Sequence, residues 1–98
     1  MKNKDFAKAR NRNFVREYLS KHPCTDCGND NIVVLDFDHI RGEKVANISQ
    51  IVSNGSALRS LLREIEKCEV RCANCHRIVT HQRRQQERPK EGIDYFNY

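Results

Sequence analysis

The sequence lacks a long apolar run, an internal repeat and any low-complexity stretch. No hydrophobic segment approaches the length of a membrane-spanning helix, and the opening residues, MKNKDFAKAR, are charged and contain no apolar h-region. No helix-turn-helix pattern that would read a DNA sequence is visible. We therefore expect no membrane partner, no signal peptide and a reducing, cytoplasmic environment.

Basic residues are in excess and are unevenly distributed. The 98 residues include 18 Lys and Arg against 13 Asp and Glu, a net charge of +5 that is concentrated at residues 1–21 and 77–90. Such charge favours a polyanionic partner, and the short length fits one domain with a modest core. Domains of this size are commonly stabilised by a structural metal.

The most specific pattern consists of two cysteine pairs, Cys24-x-x-Cys27 and Cys72-x-x-Cys75, which are 44 residues apart. In a reducing compartment, two such pairs predict a four-cysteine tetrahedral zinc site rather than disulfides. The fifth cysteine, Cys68, is interpreted as a small buried apolar residue.

Redox chemistry and haem attachment are the alternative interpretations of these cysteines. The run Cys72-Ala73-Asn74-Cys75-His76 matches the C-x-x-C-H pattern of c-type haem attachment. Haem attachment usually implies export, for which no signal is present, and it would leave Cys24 and Cys27 without a role.

Periodicity and turn residues predict alternating helices and strands. Ser56 is expected to cap a helix that begins at residue 57. The predicted elements are a basic helix over 4–20, a strand over 31–37, a short helix over 49–54, a helix over 57–67, a strand over 69–71 and a helix over 73–87. The predicted organisation is a basic N-terminal helix at 1–22, a zinc-stapled domain at 23–88 and a tail at 89–98.

Three residues are of catalytic type: Asp38 and His39 lie between the two cysteine pairs, and His76 directly follows the second pair. A carboxylate suits a hard divalent ion, and a neutral imidazole suits a general base. Because consecutive strand residues point to opposite faces, Asp38 and His39 are expected to differ in role. Asp36 alternates with Asp38 and is an alternative ligand. Glu64 and Glu66 are expected on a solvated helix face, and the alternative is that they support His39 or the metal.

The elements Cys24-x-x-Cys27, Asp38-His39-Ile40 and Cys72-x-x-Cys75-His76 resemble those of the HNH endonucleases, which belong to the His-Me finger (ββα-metal) group. The resemblance covers about residues 23–84 and is strongest to small phage and bacterial members with a four-cysteine zinc site. It implies an α+β fold: a ββα-metal core that is stapled by structural zinc and has flanking helices.

The resemblance also implies an activity, metal-dependent hydrolysis of DNA phosphodiester bonds that leaves 5′-phosphate and 3′-hydroxyl ends. Asp38 and His76 would hold one catalytic Mg²⁺ or Mn²⁺, and His39 would be the general base. One site would nick a strand, and a dimer would cut both. The expected setting is the cytoplasm of a bacterial or phage-infected cell, with a second copy or a phage or bacterial protein as partner.

Arginines near these motifs are the predicted nucleic-acid contacts. Arg41 and Arg77 are expected to clamp phosphate, and Arg83 and Arg84 are expected to add non-specific contacts, together with the basic N-terminal helix. The competing hypothesis is a zinc module that binds nucleic acid without cutting it.

One departure from the family pattern concerns its middle asparagine. Many members carry it about five residues before the second cysteine pair, where this chain has Lys67. Asn47, Asn54 and Asn74 are the alternatives.

Overall fold

The protein is an α+β molecule built on a two-stranded antiparallel sheet. The structure, a computed structural model, describes residues 2–87, with side chains from Lys4 onward. Within this range the elements are α1 (Lys2–Ser20), a 3₁₀ turn (Ile32–Val34), β1 (Leu35–His39), α2 (Ile48–Ser53), α3 (Leu58–Ile65), β2 (Cys68–Cys72) and α4 (Ala73–Glu87).

The sheet fixes the register between the two motif-bearing strands. Leu35 lies opposite Cys72 and His39 lies opposite Cys68, so Asp38 faces Glu69 across the ladder. Strand β2 continues directly into α4, which begins at Ala73. A cysteine at the end of β2 and another in the first turn of α4 therefore lie beside the start of β1.

Two hydrophobic clusters form the core, one near the cysteine pairs and one between α2, α3 and β2. The first contains Leu19, Cys24, Leu35, Val70 and Cys72. The second contains Ile48, Ile51, Leu61, Ile65 and Cys68. Val15, Tyr18 and Phe37 pack against both clusters, so the apolar stripe of α1 joins them. Cys68 is buried, as its predicted packing role requires.

The main helices are confirmed, α4 over its full predicted range, whereas the first strand begins later than predicted. Residues 32–34 form a 3₁₀ turn because the side chain of Asn31 accepts a hydrogen bond from the Val33 amide and caps it. The β-branched run there has strand propensity, but a local side-chain cap overrides it. Strand β1 therefore extends through Asp38 to His39, so both residues belong to the strand.

The predicted Ser56 cap is wrong. The residue before α3 is Ala57, which makes no side-chain cap. The carbonyl of Ser56 instead accepts hydrogen bonds from Arg10 and from Asn11, a fully buried amide on α1. These contacts anchor α1 to the loop before α3. The predicted tail at 89–98 lies outside the described residues.

Candidate functional site

The four paired cysteines converge, and their Sγ atoms all lie within 4.8 Å of one another. The Sγ atoms of Cys27 and Cys72 are 3.7 Å apart. Zinc–sulfur bonds of about 2.3 Å in a tetrahedron separate the sulfurs by about 3.8 Å. The donor set and its spacing therefore fit a metal ion such as zinc, held by the knuckle loop on one side and by the β2–α4 junction on the other.

Each pair adopts the same local turn around its first sulfur. The Cys27 amide lies 3.4 Å from the Cys24 sulfur, and the Cys75 amide lies 3.4 Å from the Cys72 sulfur. Gly28, with φ +80°, closes the first turn by donating its amide to the Cys24 carbonyl. A positive φ is easy only for glycine, so Gly28 permits the first knuckle.

The ionisation of these thiols also favours a bound cation. Burial opposes ionisation of Cys24, but backbone amides of Cys72, Cys27 and Asp26 outweigh it and lower its pKa to about 6. The hydrogen bond with Cys72, together with burial, raises the pKa of Cys75. The Cys24 thiolate therefore forms readily, whereas ionisation of Cys75 would be promoted by a bound cation.

Asp38 is buried and is held by two arginines. Arg71 donates to its Oδ2 at 2.7 Å, and Arg83 donates to Oδ1 and Oδ2 at 3.1 and 3.0 Å. Burial raises the pKa of Asp38, but Arg83, His76 and Arg71 outweigh it, and the net shift is downward. The carboxylate therefore stays charged in spite of its burial.

Arg71 also reaches the cysteine loop. Its Nε donates to Asp26 at 2.7 Å, and its Nη2 lies 2.9 Å from Glu69. Asp26 belongs to the Cys24–Cys27 knuckle, so one guanidinium joins the metal-binding loop to Asp38.

His76 lies between two carboxylates of β1. Its Nδ1 is 3.2 Å from Asp36 Oδ2, and its Nε2 is 3.5 Å from Asp38 Oδ1. Asp36 and Asp38 share a face because they are two residues apart on a strand. Strand β1 and the first turns of α4 thus bring a carboxylate–imidazole–carboxylate group together.

His39 meets a buried glutamate from α3. Its Nε2 lies 2.9 Å from Oε2 of Glu64. Oε2 also accepts the Val45 amide, and Oε1 accepts the Lys67 ammonium, each at 3.0 Å. Burial opposes ionisation of Glu64, but the Val45 amide, Lys67 and His39 outweigh it and lower its pKa to about 2.

The prediction that Glu64 is a solvated residue is wrong, since it is only 2% exposed. Leu61, Glu64 and Ile65 have the spacing of one helix face, and both neighbours are buried. A charged residue inside an apolar stripe was the available signal, because such a residue needs a buried partner.

Asp38, His39 and His76 line one open groove of about 900 Å³ between α1, β1 and α2, and Asp36 lies there with them. The structure thus gathers all three predicted catalytic residues on one cavity.

The predicted phosphate-binding arginines separate into two groups. Arg83 holds Asp38, and Arg41 donates to the Glu66 carbonyl. Arg77 and Arg84 are exposed and line a second groove, of about 920 Å³, along α4. His76 lines this second groove as well as the first, whereas His39 belongs to the lining of the first.

The chain matches no family model, no curated protein and no solved structure. Among the described residues, no helix is both long and apolar enough to cross a membrane.

Proposed function

We propose that this protein is a metal-dependent DNA endonuclease of the HNH type, with a ββα-metal core and a structural zinc. One observation carries the proposal: Asp38, His39 and His76 line the same groove, next to a four-cysteine cluster. A purely structural metal site has no need of a buried carboxylate and two imidazoles on a shared cavity.

Zinc at the cysteines would have a structural role. With four sulfur ligands it would be coordinatively closed, as structural zinc sites are. It would hold the knuckle loop against the end of β2 and the start of α4, and so fix the positions of Asp38 and His76.

His39 is suited to act as the general base. Its Nε2 is engaged with the Glu64 carboxylate, which favours the tautomer in which Nε2 donates and Nδ1 has the lone pair. Nδ1 would take a proton from the attacking water, and Glu64 would stabilise the resulting imidazolium. Glu64 is therefore assigned as a positioning residue for His39.

Asp38 and His76 would hold the divalent ion. Oδ1 of Asp38 and Nε2 of His76 are 3.5 Å apart, a separation that two ligands of one ion can adopt. Oxygen and imidazole suit Mn²⁺. Asp36 contacts the opposite ring nitrogen of His76, Nδ1, and would orient the imidazole toward the ion. Arg83 would have to withdraw from Asp38, since it donates to both oxygens. The bound ion would supply charge stabilisation at the scissile phosphate and the leaving oxygen.

Water activated by His39 would attack phosphorus, and the 3′ oxygen would leave. The products would carry 5′-phosphate and 3′-hydroxyl ends. One such site acts on one strand, so double-strand cleavage would require two copies of the chain.

A zinc module that only binds nucleic acid is the second candidate, and one observation favours it. Asp38 already has two guanidinium partners, as a structural ion pair would. The two candidates differ in whether His39 has a chemical task.

Nicking of supercoiled plasmid in the presence of Mg²⁺ or Mn²⁺ tests the proposal. We expect His39→Ala to slow nicking by about 10²–10⁴-fold, the usual contribution of general acid–base catalysis. His22→Ala is the matched control, because His22 is exposed and stacks on Tyr18 outside the groove. Equal rates for wild type and His39→Ala would refute the catalytic assignment.

A further inference from the structure

The groove that contains Asp38 and His39 has a basic wall that the catalytic assignment does not use. Arg12 and Arg16 lie one turn apart on α1, and Lys44 faces them from the loop before α2; all three line the groove and are exposed. Within residues 2–87, none of the three side chains makes a hydrogen bond or an ion pair.

Other cations of α1 are already committed to the fold. Lys4 donates to the Asn54 carbonyl, Arg10 donates to the Ser56 carbonyl, and Lys21 pairs with Glu17. Lys4 and Arg10 thus anchor α1 to neighbouring loops, whereas Arg12 and Arg16 of the same helix line the groove.

We infer that Arg12, Arg16 and Lys44 bind the backbone phosphates of one nucleic-acid strand and guide it through the groove to His39. The inference rests on the proposed function in treating that strand as the substrate. The direct observation is the juxtaposition of three uncommitted cations with the three predicted catalytic residues on one cavity.

Charge in the groove favours an anion. Asp36 and Asp38 are the lining carboxylates, and Asp38 is already neutralised by Arg71 and Arg83. The remaining cations outnumber the remaining acid, and a cleft lined by one sign of charge concentrates ligands of the opposite sign.

The shape of the groove favours a single strand. Asp38 is only 3% exposed, so a phosphate has to enter the groove to approach it. The groove also has apolar lining residues, among them Val15, Ile48 and Val52. Such walls suit the sugar and base of an unpaired nucleotide, whereas the cations suit its phosphates.

The test is the salt dependence of binding to a fluorescein-labelled oligothymidylate, measured by anisotropy on the full chain without added Mg²⁺ or Mn²⁺. Each phosphate contact on a single strand contributes about 0.7 to the slope of log K against log salt. Arg12→Ala/Arg16→Ala should therefore reduce the slope by about 1.4 and weaken binding by about 25-fold at 0.1 M salt. Adding Lys44→Ala should remove about 0.7 more.

Two matched double variants remove the same charge elsewhere. Arg59→Ala/Arg63→Ala changes exposed arginines of α3, and Arg77→Ala/Arg84→Ala changes the second groove. We expect the slope of the α3 variant to stay close to that of the wild type, and the loss in the Arg77 and Arg84 variant to be smaller than the loss in the Arg12 and Arg16 variant. Equal losses in all three variants would show a net-charge effect, and a loss confined to the Arg77 and Arg84 variant would place the strand on α4. Either outcome overturns the inference.

Binding and cleavage separate this inference from the proposed function. Suppose that His39→Ala leaves nicking unchanged while Arg12→Ala/Arg16→Ala still reduces the salt-dependence slope. The enzyme assignment then fails, and the groove remains the binding site of the strand. If His39→Ala abolishes nicking and the slope of the double variant is unchanged, the path fails alone. Circular dichroism of the variants should be unchanged, since these arginines are exposed.

Discussion

The cysteine cluster and the histidine groove are encoded in different ways. Each cysteine pair is recognisable from four consecutive residues of sequence, and its N–H···S contact forms within the same four residues. In the groove, His39 meets a glutamate 25 positions away and Asp38 meets an arginine 45 positions away. Motif spacing therefore identifies candidate metal ligands, whereas the partners that orient His39 and Asp38 are set by tertiary packing.

Removal of one cysteine ligand should have the largest effect. The apparent free energy of zinc binding in small domains is about 10–16 kcal/mol, comparable to or larger than the total stability of a typical domain. Cys72→Ser should therefore lose stoichiometric zinc and unfold, as shown by elemental analysis and circular dichroism. Cys68→Ala is the control, because Cys68 lies outside the cluster. A folded, metal-free Cys72→Ser protein would contradict a structural metal.

Truncation of Leu61 in the second hydrophobic cluster should have the next largest effect on stability. Leu61 is fully buried beside Ile65, and Leu→Ala substitutions in cores typically cost about 2–5 kcal/mol. Urea unfolding of Leu61→Ala should show a loss in this range, while one zinc per chain is retained. Loss of the metal as well would show that the two regions are not separable.

The buried carboxylate should give a smaller, pH-dependent effect. The pKa of Glu64 is about 2 in the folded protein against 4.5 as its ordinary value, so its stabilisation is complete above about pH 4.5 and is lost as pH falls toward 2. Glu64→Gln should lower the free energy of unfolding near neutral pH by up to about 3 kcal/mol.

The Glu64→Gln deficit should shrink on acidification. Urea unfolding from pH 7 to pH 3 measures it, and Glu66→Gln, an exposed neighbour, is the control. A deficit that does not depend on pH would mean that the charge of Glu64 is not what stabilises the fold.

Removal of the ion pair between Asp26 and Arg71, which joins the cysteine loop to the groove, should have the smallest effect on stability. Asp26 is 38% exposed, and partly exposed ion pairs contribute about 0.2–1 kcal/mol. Asp26→Asn should therefore lower stability by less than about 1 kcal/mol in urea unfolding, with zinc content unchanged. A larger loss would show that the knuckle depends on Arg71.

Local signals account for much of the fold. The apolar stripe of α1 predicted the first helix, and Pro23 predicted that the helix ends before it. The second cysteine pair predicted where α4 begins. The start of β1 was missed because the Asn31 cap competes with strand propensity. Glu64 was misjudged because a charged residue is usually solvated, and only tertiary contacts show which ones are buried. The pairing of Arg83 with Asp38 is likewise set by tertiary packing.

The two guanidinium groups on Asp38 have a further consequence for the proposed enzyme. In the metal-free protein they act as resident counter-ions, so the buried carboxylate is never left unbalanced. A divalent ion must then compete with Arg83 for the same oxygens, and its apparent affinity is reduced by the cost of that exchange. Such a nuclease would stay idle where divalent ions are scarce, and Arg83→Gln should bind Mn²⁺ more tightly than the wild type does.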